Sequence, residues 1–280
     1  LFDHCEFSSN FSIQEAGALF AADTNGSIHR SRFIGNQNTT SNGGGALCLS
    51  STTAVISDCN FSFNITHANN FGGAIKLVQS SPSISNCSFV RNQSTVNSGG
   101  AIYIGANCNP SFINNSFSYN SSAIFGGALF VEDADLSIDT GLFLGNYSEY
   151  GGAIGTQGSV SVYVNNMKAI GNEANVTADS KAGFIYLNSG TTSSTFVNSI
   201  FLGNKSLGRF GVLRPSGLSR FVNCTVVGNE AGTDGGFVLL FEGDSVELEN
   251  CIVWNNSAAT TGNDIWVNLG TASVNNSLFD

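Results

Sequence analysis

One pattern recurs along this chain and leaves few folds open to it: a glycine doublet, an aliphatic strand, then a Phe with an Asn three residues on. The second doublet residue, or its substitute, falls at Gly17, Gly45, Gly73, Gly100, Gly127, Gly152, Gly183, Gly211, Gly236 and Asp264. The intervals are 28, 28, 27, 27, 25, 31, 28, 25 and 28 residues. A period near 27 over all 280 residues marks a solenoid, in which each unit buries its apolar face against its neighbours.

Within each unit the period is two. An aliphatic column runs Leu19, Leu47, Ile75, Ile102, Leu129, Ile154, Ile185, Leu213, Val238 and Ile265, and the residue two places on is again mostly apolar. Such spacing marks a strand with one buried face. A second column runs Ile28, Ile56, Ile84, Phe112, Ile138, Val164, Phe196, Phe221, Leu248 and Val274, and a third from Phe7 and Phe33 to Val226 and Val253. Ile84 and Phe89 are five apart, so a straight strand cannot point both inward. A corner must intervene, and the Asn two places after most second-column residues tolerates the left-handed backbone a corner needs. Asn also stands three residues after every third-column residue, from Asn10 to Asn256, where stacked carboxamides can bond the copies above and below. The expected fold is all-β: a right-handed parallel β-helix of about ten coils with three short strands per coil, about 48 Å long at 4.8 Å per coil. Residues 1–280 form one such body, expected to be a segment of a longer protein or a subunit stacking into a filament.

Composition removes the competitors. Helical repeats need helix-forming residues at a period of 3.6, whereas this chain is built on 33 Gly, 22 Phe and abundant Asn, Ser and Thr. With 20 Asp and Glu against 10 Lys and Arg it lacks the clustered cations that nucleic acid or an anionic membrane demands. No apolar run is long enough to span a membrane, so membrane insertion is not expected.

The segments GGALCL, GGAIKL, GGAIYI, GGALFV and GGAIGT, each followed by FxxN or a variant of it, resemble the repeat pair of the polymorphic outer membrane proteins of chlamydiae. The likeness covers all ten coils, drifting to AGFIYL, FGVLRP, GGFVLL and NDIWVN in the last four. It implies a surface-exposed, adhesive, non-enzymatic β-helix, with a surface protein or glycan of a host cell as partner. A eukaryotic secreted relative is equally compatible with the fifteen Asn-X-Ser/Thr sequons.

Candidate sites follow from what the columns leave over. Six sequons fall on the FxxN column and three on the other Asn corner, so Asn25, Asn38, Asn60, Asn175, Asn255 and Asn275 remain as glycosylation candidates, with Asn25, Asn38 and Asn175 placed in connecting loops. Cys59 and Cys87, and likewise Cys224 and Cys251, occupy one inward position on successive coils; they read either as disulfides or as stacked small hydrophobes. No Cys or His spacing suggests a metal, and no cofactor is expected. His4, Glu6, His29, Arg30, Arg32 and Asp58 gather at one corner of the first coils; they could serve a polysaccharide lyase or hydrolase, or form a solvated charged corner. Glu132, Asp133 and Asp135 could hold calcium or lie in a solvated turn. The outward positions of the first strand include Phe20, Tyr103, Phe130, Tyr186 and Trp266, a stripe that could stack on sugars or be covered by the long loops before each doublet. The expected function is therefore an extracellular or cell-surface structural and adhesive rod, with a lyase, hydrolase or glycan-binding module as the alternative.

Overall fold

The computed structural model describes residues 1–39, 43–67, 71–175, 181–188 and 190–280. They form a β-solenoid of about ten coils, and every strand pairing is parallel, each strand matched to its counterpart one coil away. The aliphatic column stacks in register from Leu19 through Ile75 and Leu129 to Ile265. The second and third columns do the same, from Ile28 to Val274 and from Phe7 to Val253.

Coil three shows the plan: Ile75–Val78, Ser83–Ser85, Ser88–Val90 and Gln93–Ser94. The first strand belongs to one ten-stranded sheet. The next two share a single nineteen-stranded sheet, bent between them, and in coils four to six they run on as one strand, such as Ser111–Ser118. Three sheets therefore wrap the core, but the second and third apolar columns lie on the two halves of one of them. The remaining ten-stranded sheet is made of two-residue strands just after the FxxN Asn.

Backbone conformation explains the kept letters. The bend residue of the large sheet has positive φ in every coil, including Asp58, Asn86, Asn114 and Asn223. Gly99 opens its doublet at φ 70°, and a Cβ on the next residue, Gly100, would lie 2.0 Å from the Gly127 carbonyl oxygen of the following coil. Only glycine lets coils approach that closely. The last such position is Asn263, whose carbonyl lies 2.0 Å from a Cβ built on Gly236, so the sequence alignment to Asp264 is off by one residue. Asp264 occupies the Ala position of GGA and caps the inner ladder through Asn256, at 2.8 Å.

The interior is filled by the columns. Rings of Phe7, Phe33, Phe61, Phe89, Phe117 and Phe143 stack with centroids 4.7–5.0 Å apart, each pair adding about 0.5–1.5 kcal/mol beyond burial. Ala169 breaks the stack, and Phe184 enters the space, edge-on to both Phe143 and Phe201. Phe184 is the residue that turns GGA into AGF, so the motif's drift in coil seven restores lost core volume. Phe237 of GGFVLL likewise packs edge-on against Phe221, in the coil after Val226 takes a Phe position.

Candidate functional site

The inner ladder consumes its asparagines entirely. From Asn36 to Asn229 each side chain donates to the carboxamide oxygen of the next coil at 2.8–3.0 Å, and also to a carbonyl of the previous coil, as Asn64 does to Phe33. These carboxamides are buried, and any sequon on them is closed to modification. Of the six candidates, Asn25, Asn255 and Asn275 are exposed, and so are four sequons that the sequence set aside, Asn10 at the start of the inner ladder and Asn86, Asn114 and Asn223 at the bend. Asn60 and Asn175 are half-buried, Asn60 within the strand Asn60–Ser62 and Asn175 bonded to the Tyr147 hydroxyl. Asn38 is a correction: it lies in the strand Gln37–Asn38, fully buried and bonded to the Gln14 carbonyl, not in a loop. Thr40 and Thr177, which complete two of these sequons, lie outside the described residues.

The cysteine pairs are stacked thiols rather than disulfides. Strand spacing sets successive parallel side chains about 4.8 Å apart, wider than a disulfide's Cβ separation. Each sulfur instead bonds a carbonyl two residues back, Cys59 to Ser57 at 3.1 Å and Cys87 to Ser85 at 3.2 Å, with Cys224 and Cys251 both at 3.4 Å. Hydrogen bonding within each pair, with burial, pushes the Cys87 and Cys224 thiols up.

The outward aromatic stripe is largely covered, so Tyr103, Phe130 and Tyr186 are not open stacking platforms; they are 9 %, 2 % and 7 % exposed. Phe71, Phe125 and Tyr150, each just before a glycine doublet, fold over them with centroids 4.6–5.7 Å apart. Buried Lys181 closes this outer cluster, 2.7 Å from Glu149 and 2.9 Å from the Tyr150 ring centroid. Trp266 packs half-buried against the same cluster, leaving Phe20 as the exposed member of the stripe. An aromatic immediately before the doublet was the sequence signal for this lid.

The charged corner is paired within itself. Asp3 takes Arg30 at 2.5 Å and His4 at 3.1 Å, and Arg32 meets Glu6 at 3.3 Å. The Arg30 guanidinium holds the Asp3 carboxyl below its usual range. His29 contacts the Ser57 hydroxyl at 2.8 Å, and that hydroxyl donates to Asp58 at 2.8 Å. With the hydroxyl between base and acid, its proton points at the carboxylate, the reverse of a nucleophile activated by histidine. The acidic turn is also committed: Glu132 accepts from Tyr103 at 2.5 Å, and Asp133 and Asp135 each accept a backbone N–H at 2.9 Å. No group of three metal-ligating side chains occurs among the described residues.

Two further surfaces are not explained by the columns. The first is a groove of about 540 Å³ along the outside of the bend, over coils three to six. Its floor is a second, exposed row of amides: Asn114 donates to Asn86 at 2.9 Å and Asn86 to Asp58 at 3.3 Å. Farther along, Asn250, Asn223, Asn198 and Asn165 form a like series ending on Asp139. Between the two series stands Thr140, a β-branched residue at φ 60°, where its neighbours are Asn. Ser88, Ser116, Asn166 and Lys168 complete the walls, and Lys168 is the one charged lining residue.

The second is an apolar shelf on the other half of the same sheet. In coils one to four its outward positions hold Arg32, Asn60, Ser62, Ser88, Ser116 and Ser118, with Ile34 and Val90 between. In coils seven to nine they hold Ile200, Leu202, Val227, Ile252 and Trp254, with Thr225 the one polar member. Leu202 is 42 % exposed and Trp254 44 %. The next corner is glycine at Gly203 and Gly228, as at Gly171 one coil earlier, with open space where a Cβ would stand, and Asn255 takes the place in coil nine. Coils two to four place Phe63, Arg91 and Tyr119 at that corner, the guanidinium 5.8 and 6.0 Å from the two rings. The signal for the shelf was apolar residues on both sides of the buried one, as in SIFLGN and CIVWNN.

Compared with known proteins, the chain matches no family model, no curated protein and no solved structure.

Proposed function

We propose that this chain is a non-enzymatic structural and adhesive rod that works outside the cell or on its surface, with further coils or other copies stacked on its ends. The observation that carries the reading is the shelf of Ile200, Leu202, Ile252 and Trp254, exposed on a coil whose core is already complete without it. Contiguous exposed apolar surface on a rigid sheet marks a place where something binds. The repeat's likeness to adhesive surface proteins and the exposed sequons at Asn25, Asn255 and Asn275 support an extracellular setting.

The test is attachment of the purified chain to cell and matrix surfaces. The variant Leu202→Ser with Trp254→Ser is expected to lower attachment about tenfold or more with an unchanged melting temperature, since both side chains are outside the core. Release of reducing ends or unsaturated products from a polysaccharide, abolished by Asp58→Ala, would overturn the reading in favour of an enzyme. A chain that stays monomeric at high concentration would remove the stacking of copies.

A further inference from the structure

We infer that the gap in the outer amide row at Thr140 is a binding subsite for an acidic oligosaccharide, one uronic-acid residue filling the place where the row lacks an asparagine. The inference rests on reading the chain as an attachment rod, and it names a ligand for a face that reading does not use.

The outer row has a direction. Every amide donates toward the first coil, and each series ends on a carboxylate, Asp58 in one and Asp139 in the other. An Asn at position 140 would donate to the Asn114 oxygen and accept from Asn166. Thr140 is too short for either, so the Asn114 oxygen, the Thr140 hydroxyl and the whole Asn166 carboxamide have no protein partner among the described residues. Asn114 and Asn166 are two coils apart, roughly 9.6 Å, a span that one pyranose ring with its hydroxyls can bridge. A ring hydroxyl can donate to Asn114 while another accepts from Asn166, restoring the row in both senses.

The other walls select the charge. Ser88 and Ser116, whose hydroxyls lie 3.4 Å apart, offer further donors along the groove. Lys168 stands on the wall beside Asn166, with no ion pair among the described residues. A carboxylate on the bound sugar would meet it. Asp139, the residue before Thr140, lies across the bend and is held by Asn165 at 3.0 Å. Thr140 itself points to a site rather than a defect. A β-branched residue in the left-handed region is strained, and the ordinary solution, asparagine, is used by the two coils on either side.

Titration calorimetry of the intact chain with an oligogalacturonate and with its carboxyl-reduced, neutral counterpart tests this. Saturable binding of the acidic oligomer is expected, with the neutral one weaker. Lys168→Ala should weaken the acidic oligomer by about threefold, as for an exposed ion pair, and leave the neutral one unchanged. Thr140→Asn should close the row, weaken both by about tenfold or more, and raise the melting temperature. Absence of saturable binding to the wild-type chain, or binding that Thr140→Asn leaves intact, overturns the inference. Attachment through the shelf is scored separately with Leu202→Ser and Trp254→Ser. Loss of oligosaccharide binding with attachment retained therefore defeats only the subsite, and attachment failing while oligosaccharide binds defeats only the rod reading.

Discussion

Two asparagine rows climb this rod, and the same residue, recurring once per coil in each, serves opposite ends in them. The inner row, Asn36 to Asn256, is buried and unbroken, and each side chain has every polar atom committed. The outer row is exposed, has longer bonds of up to 3.3 Å, and is interrupted at Thr140. An unmet amide in the core costs its full desolvation, so the inner row tolerates no gap. At the surface water replaces a missing partner, so a gap costs little and can be put to use. Repetition alone therefore does not separate scaffold from function; burial does.

The strongest way to break the comparison is to cut the inner row. Asn120 accepts from Asn92 twice and donates to Phe89 and Asn146. Asn120→Ala strands these groups in the interior and is expected to cost about 4 kcal/mol or more, read as a lowered urea midpoint. A smaller effect is expected at the row's last member, where burial pushes the Asp264 carboxyl up to about 6. Because its folded pKa lies above its unfolded value, Asp264 contributes nothing below pH about 4, where both states are protonated. It destabilises increasingly as pH rises to about 6, and is constant above that. Asp264→Asn, which keeps the acceptor for Asn256, should thus gain on the wild type by about 1 kcal/mol across that window, allowing for solvent screening of a half-exposed group. Melting curves from pH 4 to 8 check it, and a gain that is largest at low pH would contradict the assignment. The smallest effect belongs to the outer row: Asn223→Gly keeps the left-handed bend and should change stability by less than about 1 kcal/mol.

The columns were legible because burial of one strand face imposes a period of two and stacking imposes a period near 27, and both are written in residue type. The sheet of two-residue strands was not, since strands such as Gln93–Ser94 are too short and polar for any alternation. Asn38 was misplaced for that reason. Coverage of the stripe stayed one of two readings for a different cause: Phe125 lids Tyr186 from a loop two coils away, and a single repeat does not show which loop reaches which strand. The shelf and the groove are not legible in the kept letters, because these sites are made of the letters that vary.

By itself, then, the sequence determined the coil: its period, its three apolar columns, its glycine doublets and its inner amide row, local demands that recur from step to step. Only the tertiary structure decided which surface is free. Exposure depends on what neighbouring coils and loops place overhead, and that is a property of the stack rather than of any repeat.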